Sequence, residues 1–357
     1  MFLNGNSYLY HLHNTIIYNL INNLFSHIYI YIYMKTKFTK NNIILFLCVV
    51  LVSLLFIPRQ INTERFDNKQ IKDLNVACCL CVRNCEKYLP KIFDNLNKLS
   101  KEFTNFYVIF IYDNCTDKSE KLLQEYEKAS KYKVIIKHIT NDSPYRTFRI
   151  AKARNTYVSI LYNELPDIDF HFVIDSDDKN IKPWNINILK KYLMQNTWDA
   201  LSFNRPFYYD TWALFYENIK HHFLGYSGAP FAARKVGDYM RNDISKKINN
   251  MDDNNLFICL SAFNGFAIYR TPQFKNIKYD GSYKSITTLI TDNERTESLE
   301  YLKKTLNMPD LMIDQTKEKL PSRSITVYSA EHCEHVFYHI SAIKKNNARI
   351  RISKFIL

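Results

Sequence analysis

The residues best placed to do chemistry are the carboxylates of His171-Phe172-Val173-Ile174-Asp175-Ser176-Asp177-Asp178. An apolar stretch delivers an Asp-x-Asp pair into a turn. Carboxylates two residues apart across a turn can share one hard divalent cation, which prefers oxygen ligands. Such a cation bridges a diphosphate and neutralises charge as a diphosphate departs. Alone, the same pattern also describes a solvated, helix-capping turn. Its position at the end of an apolar strand favours the metal, with Asp175 and Asp177 as ligands. Asp178 adds a third carboxylate beside them.

Other polar residues fall at comparable places. Asp113 closes an earlier apolar strand, either to accept hydrogen bonds from a nucleotide base or ribose, or to start the next helix as a turn aspartate. Arg83-Asn84 closes the first strand and would face the same ligand. Arg154 shares a helical stripe with Ala151, Asn155 and Val158. An arginine on an apolar stripe needs an anion, either a structural carboxylate or a ligand phosphate. Near the C-terminus, Glu331-His332-Cys333-Glu334-His335-Val336 follows the strand-like stretch Ile325 to Tyr328. That cluster reads as a third metal ligand or an acid/base group, or as a polar loop with one buried histidine. Zinc is disfavoured because Cys333 has no cysteine partner nearby.

Alternating elements position these residues. Strands are expected at Val76 to Val82, Phe106 to Tyr112, Tyr132 to Ile139, Phe170 to Ile174 and Ala200 to Phe203. Helices are expected at Tyr88 to Leu99, after Asp117, at Thr147 to Leu165 and at Ile186 to Asn196. Asp117 and Glu120 give a start resembling a capping box. The alternation implies an α/β fold with a mostly parallel sheet, which binds ligands at the carboxyl ends of its strands. The polar stretch Asp238 to Asn255 reads as an insertion or mobile loop.

Composition narrows the function. Six glycines in 357 residues leave no Gly-rich phosphate loop. The net charge of +13 comes from scattered lysines, which suits solvated faces. No basic, aromatic-interleaved stripe supports a nucleic-acid partner. The eight cysteines form no paired zinc framework. Cys78 and Cys81 have Cys-x-x-Cys spacing but lie in an apolar strand.

The apolar run from Ile43 to Ile57 is preceded by Lys35, Lys37 and Lys40 and followed by Pro58-Arg59, with no small-x-small cleavage site. It is shorter than the usual span of about 20 residues but reads as an uncleaved signal anchor. The preceding charges predict a single-pass type II membrane protein whose catalytic part is lumenal or extracytoplasmic. Met34 reads as the true start, leaving 1–33 as an upstream extension, 34–58 as the anchor, 59–74 as a stem and 75–345 as the folded domain.

Together the motifs resemble those of GT-A fold glycosyltransferases, the nucleotide-diphospho-sugar transferases. The resemblance spans Asn75 to His339 and rests on seven stretches. These are Val82-Arg83-Asn84, Tyr112 to Asp117, Ala153-Arg154-Asn155, Ile174-Asp175-Ser176-Asp177, Tyr208 to Leu214, Phe263 to Tyr269, and Cys333-Glu334-His335-Val336. Tyr208-Tyr209-Asp210-Thr211-Trp212-Ala213-Leu214 is similar to that of the capsule-associated mannosyltransferase group and related viral and bacterial enzymes. Glycines usual near the second strand are absent.

The resemblance implies a Rossmann-like sheet and Mn2+ or Mg2+ held by Asp175, Asp177 and a late histidine, His335. It implies a UDP- or GDP-sugar donor contacted by Arg83, Asn84, Asp113, Arg154, Asp175 and Ser176. A glycan or glycoprotein would be the acceptor, with Asp210 and Glu334 as candidates for acceptor contact or catalytic base. The alternative is an inactive glycan- or nucleotide-binding module of the same fold, against which the intact Asp-x-Asp and late histidine argue.

Overall fold

The computed structural model describes residues 69–220, 226–227, 232–313 and 331–357. All belong to one unit, Asn62–Leu357. The expected extension, anchor and most of the stem, and the strand expected at Ile325 to Tyr328, lie outside the described residues. Among the described residues no helix is long and apolar enough to cross a membrane.

The first half follows the expected alternation. In chain order it runs β1 (Asn75–Val82), α1 (Leu89–Leu99), β2 (Asn105–Asp113), α2 (Ser119–Ala129), β3 (Lys133–Ile139), α3 (Arg146–Asn163), β4 (Phe170–Asp175), α4 (Ile186–Leu193) and β5 (Ala200–Asn204). The near-continuous apolar run of β1 suits a strand covered on both faces. Ala77 and Cys79 face Tyr157, Ile160 and Leu161 of α3. Val76, Cys78 and Leu80 face Leu89, Ile92 and Leu96 of α1.

The capping box expected at α2 does not form. Asp117 instead accepts the Ser119 and Glu86 backbone N–H groups, and Glu120 accepts the Tyr112 hydroxyl. Asp117 is taken up by Ser119 and the turn after β1, and Glu120 by Tyr112 of β2, so the two do not close on one another.

The second half comprises β6 (Tyr226–Ser227), α5 (Ala232–Asn249), β7 (Leu256–Cys259), β8 (Phe266–Arg270), α6 (Tyr283–Ile286), α7 (Asp292–Leu306), β9 (Met312–Ile313), α8 (Glu334–Asn346) and β10 (Ile350–Ile356). The polar stretch expected as an insertion or mobile loop is largely helix α5. Val236, Met240, Ile244 and Ile248 recur every four residues and are fully buried. Each such burial contributes about 1.5–3 kcal/mol, enough to seat a helix whose other faces are charged.

The main sheet has the order β3-β2-β1-β4-β8-β5-β10-β7. β3, β2, β1 and β4 run parallel, as do β5 and β10, whereas β8 and β7 pair antiparallel with their neighbours. Six of the eight strands therefore point the same way, as expected of a mostly parallel sheet, and β8, inserted between β4 and β5, and β7 at the edge run against them. The domain also runs past the expected boundary at 345. β10 pairs Ile350 with Ala200, and Arg349 anchors its start through two bonds of 2.8 Å to the Asp199 carboxylate.

Candidate active site

The carboxyl ends of β1, β2 and β4 lie side by side and carry the predicted residues. At β1 and β2, Arg83 Nη1 stands 3.5 Å from Asp113 Oδ2. Asp113 is buried and its Oδ1 has no hydrogen-bond partner, so it can still accept from a ligand. The turns beyond both strands enter left-handed backbone at Asn84 (φ 54°) and Asn114 (φ 39°), which asparagine tolerates better than most residues. Asn84 is committed within the protein: its Oδ1 accepts the Thr116 backbone N–H at 2.7 Å.

At the end of β4, Asp175 Oδ1 is 3.4 Å from Arg154 Nη2, and its Oδ2 accepts the Tyr209 hydroxyl at 3.4 Å. Asp177 Oδ1 caps the following turn by accepting the Lys179 N–H at 2.9 Å. Ser176 is buried, and its hydroxyl has no hydrogen-bond partner. Burial pushes Asp175 up to about 6, opposed by Arg154 and reinforced by the charge of Asp177. Asp177 is raised too, again mainly by burial. Two neighbouring carboxylates, Asp175 held only by contacts of 3.4 Å and Asp177 with one oxygen in a turn cap, form a donor set suited to a hard divalent cation.

His335 does not complete that set. Among the described residues no group of three His, Cys, Asp or Glu side chains could hold a metal ion. The reason is packing in the first turn of α8. His335 stacks on Phe263 with ring centroids 3.9 Å apart, and its Nδ1 lies 3.5 Å from the Tyr269 hydroxyl. Its Nε2 faces Glu334 Oε1 at 3.8 Å. Burial and the Arg154 charge hold it well below the usual histidine range.

Arg154 is 4% exposed and finds its anions within the protein. Its Nε donates to Glu334 Oε1 at 3.0 Å, and its guanidinium lies over the Phe263 and Tyr279 rings. Of the two anions considered for it, the structure supplies the carboxylates, Glu334 and Asp175. Glu331, in the same C-terminal cluster, accepts the Thr147 N–H at 2.9 Å and so binds the first turn of α3.

Asp210 has a different setting. Its Oδ1 accepts the Ala213 N–H at 3.2 Å. Burial, with the charges of Asp175 and Glu334, pushes it up to about 7, where a carboxylate can take and release a proton near neutrality.

Three site residues went unread in the sequence. Asn180 donates to the backbone oxygens of Asp175 and Gly265 at 2.8 and 2.9 Å. The Arg205 guanidinium joins the Asn264 and Lys179 carbonyls to Asn180 Oδ1. Asn264 holds the loop that carries Asp210. Only Asn264 had a sequence signal, its place in the stretch Phe263 to Tyr269.

The mixed sheet, with its acidic strand ends facing a second carboxylate-bearing loop, defines the GT-A class of α/β fold. The chain belongs to glycosyl transferase family 2, whose profile matches residues 77–269, more than half of its length.

No curated protein sequence matches the chain. Solved structures that resemble it include S. aureus TarS, at 13% identity over 79% of this chain and 36% of that one, TM-score 0.41. The mannosyltransferase PcManGT from Pyrobaculum calidifontis, in complex with GDP-Man and Mn2+, gives 11% identity over 61% and 52%, TM-score 0.36. The glucosyl-3-phosphoglycerate synthase from Mycobacterium tuberculosis, in complex with UDP, gives 11% over 57% and 59%, TM-score 0.32. The chain thus spans between 36% and 59% of the length of these three structures.

Proposed function

We propose that the protein is a metal-dependent transferase that moves a sugar from a UDP- or GDP-sugar to a hydroxyl of a glycan or glycoprotein. The observation that carries this reading is the facing of two unlike carboxylate sets. Asp175 and Asp177 crowd together at the end of β4, and Asp210, pushed up to about 7, stands within reach of the Asp175 charge.

In this reading Asp113 accepts from the nucleoside through its free Oδ1, with Arg83 beside it. Asp175 and Asp177 would hold Mn2+ or Mg2+, which when bound supplies positive charge for the leaving diphosphate. Among the described residues too few protein ligands are present for an all-protein cage, so in this reading nucleotide completes the metal site. Asp210 takes the acceptor hydroxyl proton as that oxygen attacks the anomeric carbon and the sugar–diphosphate bond breaks. Glu334 and His335 act in the scaffold, Glu334 by holding Arg154. The apolar run at Ile43 to Ile57 supports a membrane anchor ahead of this domain.

A donor screen tests the proposal: release of nucleotide from UDP-, GDP- and CMP-sugars, with and without Mn2+. Release from one class of donor, lost with a chelator and in Asp177→Ala, is expected. Metal-independent release, or binding of nucleotide without turnover of any donor, would favour the inactive binding module.

A further inference from the structure

Asp210 lies in a loop, and something must fix that loop over the end of β4. Among the described residues its side chain has one hydrogen bond, from the Ala213 N–H within the same loop. The carboxylate therefore stands wherever the backbone of residues 209 and 210 is held.

That backbone is held by one buried side chain. Asn264 is 1% exposed and precedes β8. Its Oδ1 accepts the Tyr209 N–H at 3.2 Å and the Asp210 N–H at 3.4 Å. Its Nδ2 donates to the Phe203 carbonyl of β5 at 3.3 Å, which fixes the orientation of the amide. Its backbone carbonyl accepts Arg205 Nε at 2.7 Å, where the same loop leaves β5.

Gly265 completes the anchor by leaving space. It sits at φ +86°, and a Cβ there would lie 2.6 Å from the Tyr209 hydroxyl. That hydroxyl reaches Asp175 Oδ2, so the loop is tied at one end to the metal-site carboxylate and at the other to Asn264.

We propose that Asn264 is a positioning residue for sugar transfer, acting through Asp210. This rests on the reading of Asp210 as the acceptor base. Reacting groups displaced by about 1 Å lose rate on the order of 10²-fold, and without both N–H contacts the loop loses the bonds that fix Asp210 in place. The Asn264 side chain bonds the backbone of Tyr209, Asp210 and Phe203 and none of the residues assigned to the nucleotide, so nucleotide affinity should not depend on it.

A double-mutant cycle tests this in the full chain, comparing wild type, Asn264→Ala, Asp210→Asn and the double variant. Single-turnover cleavage of the active donor, with water as acceptor, is measured beside affinity for its free nucleotide diphosphate. We expect Asn264→Ala to lose about 10–100-fold in cleavage rate with nucleotide affinity within about twofold. The double variant should be no slower than Asp210→Asn alone, because the two residues act as one unit.

Wild-type cleavage by Asn264→Ala, or losses that multiply in the double variant, would overturn the proposal while leaving the base assignment intact. Wild-type cleavage by Asp210→Asn would instead remove the base assignment, whatever Asn264→Ala does. Should Asn264→Ala not fold, Asn264→Ser keeps a polar group in the pocket but is too short to reach both N–H groups, and the same outcomes apply. Unfolding of both variants would make Asn264 a fold determinant and overturn the proposal.

Discussion

Asp210 and Glu334 began as equivalent candidates for one task, and the structure gives them opposite surroundings. Glu334 lies in the first turn of α8 with its Oε1 3.0 Å from the Nε of a buried arginine. Asp210 lies in a loop with no cation in hydrogen-bond contact among the described residues, bonded to one backbone N–H and pushed up to about 7. A carboxylate held by a buried guanidinium is a structural counter-ion; one that faces other carboxylates is ready to accept a proton. On the proposed reading the loop carries the chemistry and the helix the scaffold.

Removing the helix partner should give the largest loss of stability. Glu334→Ala leaves Arg154 buried with Asp175, 3.4 Å away, as its one carboxylate partner among the described residues. A loss of about 3–5 kcal/mol is expected from denaturant unfolding, the range for breaking a buried pair from one side. Asp210→Asn should not share it. Equal stability for Glu334→Ala and wild type would break the contrast.

A smaller effect sharpens the Asp210 side. Its pKa in the folded protein, about 7, lies above the unfolded value of about 3.9. The folded state thus holds a proton that the unfolded state has lost, and this group's contribution falls as pH rises from about 4 to about 7. Measured with a chelator present, wild-type stability should decline relative to Asp210→Asn across that window. A difference between the two that does not change with pH would place Asp210 in an ordinary solvated setting.

The smallest effect concerns His335. Its ring packs between Phe263 and Tyr269, so His335→Ala should lower the thermal midpoint through lost packing. The Mn2+ concentration for half-maximal donor cleavage should stay at the wild-type value. A large rise in that concentration, without loss of stability, would restore the histidine to the metal.

The strands β1 to β5 and the helices between them were legible because each carries its own signal, an apolar run ended by polar residues. Asp113 and Asp175 were legible for the same reason, since a strand that points at the site names its last residue. What was missed depends on partners distant in sequence. Asn264 matters through N–H groups 55 and 54 residues earlier, and Asn180 through a carbonyl 85 residues later. The buried stripe of α5 was hidden among charged residues whose spacing matters only once the helix is docked. The role of Arg154 stayed open because an arginine on an apolar stripe announces an anion without naming it; the answer lay 180 residues away at Glu334. His335 was assigned by resemblance, and the rings that bury it come from β8 and the segment before it.

The central claim is that Asp210, and not Glu334, takes the proton. It is tested most directly by single-turnover donor cleavage in Asp210→Asn, with nucleotide affinity and thermal midpoint measured on the same sample. The account predicts a rate lower by about 10²–10⁴-fold, the usual contribution of a general base, with affinity within about twofold and no loss of the midpoint. Cleavage at the wild-type rate, or a loss matched by an equal loss of nucleotide affinity, would contradict it.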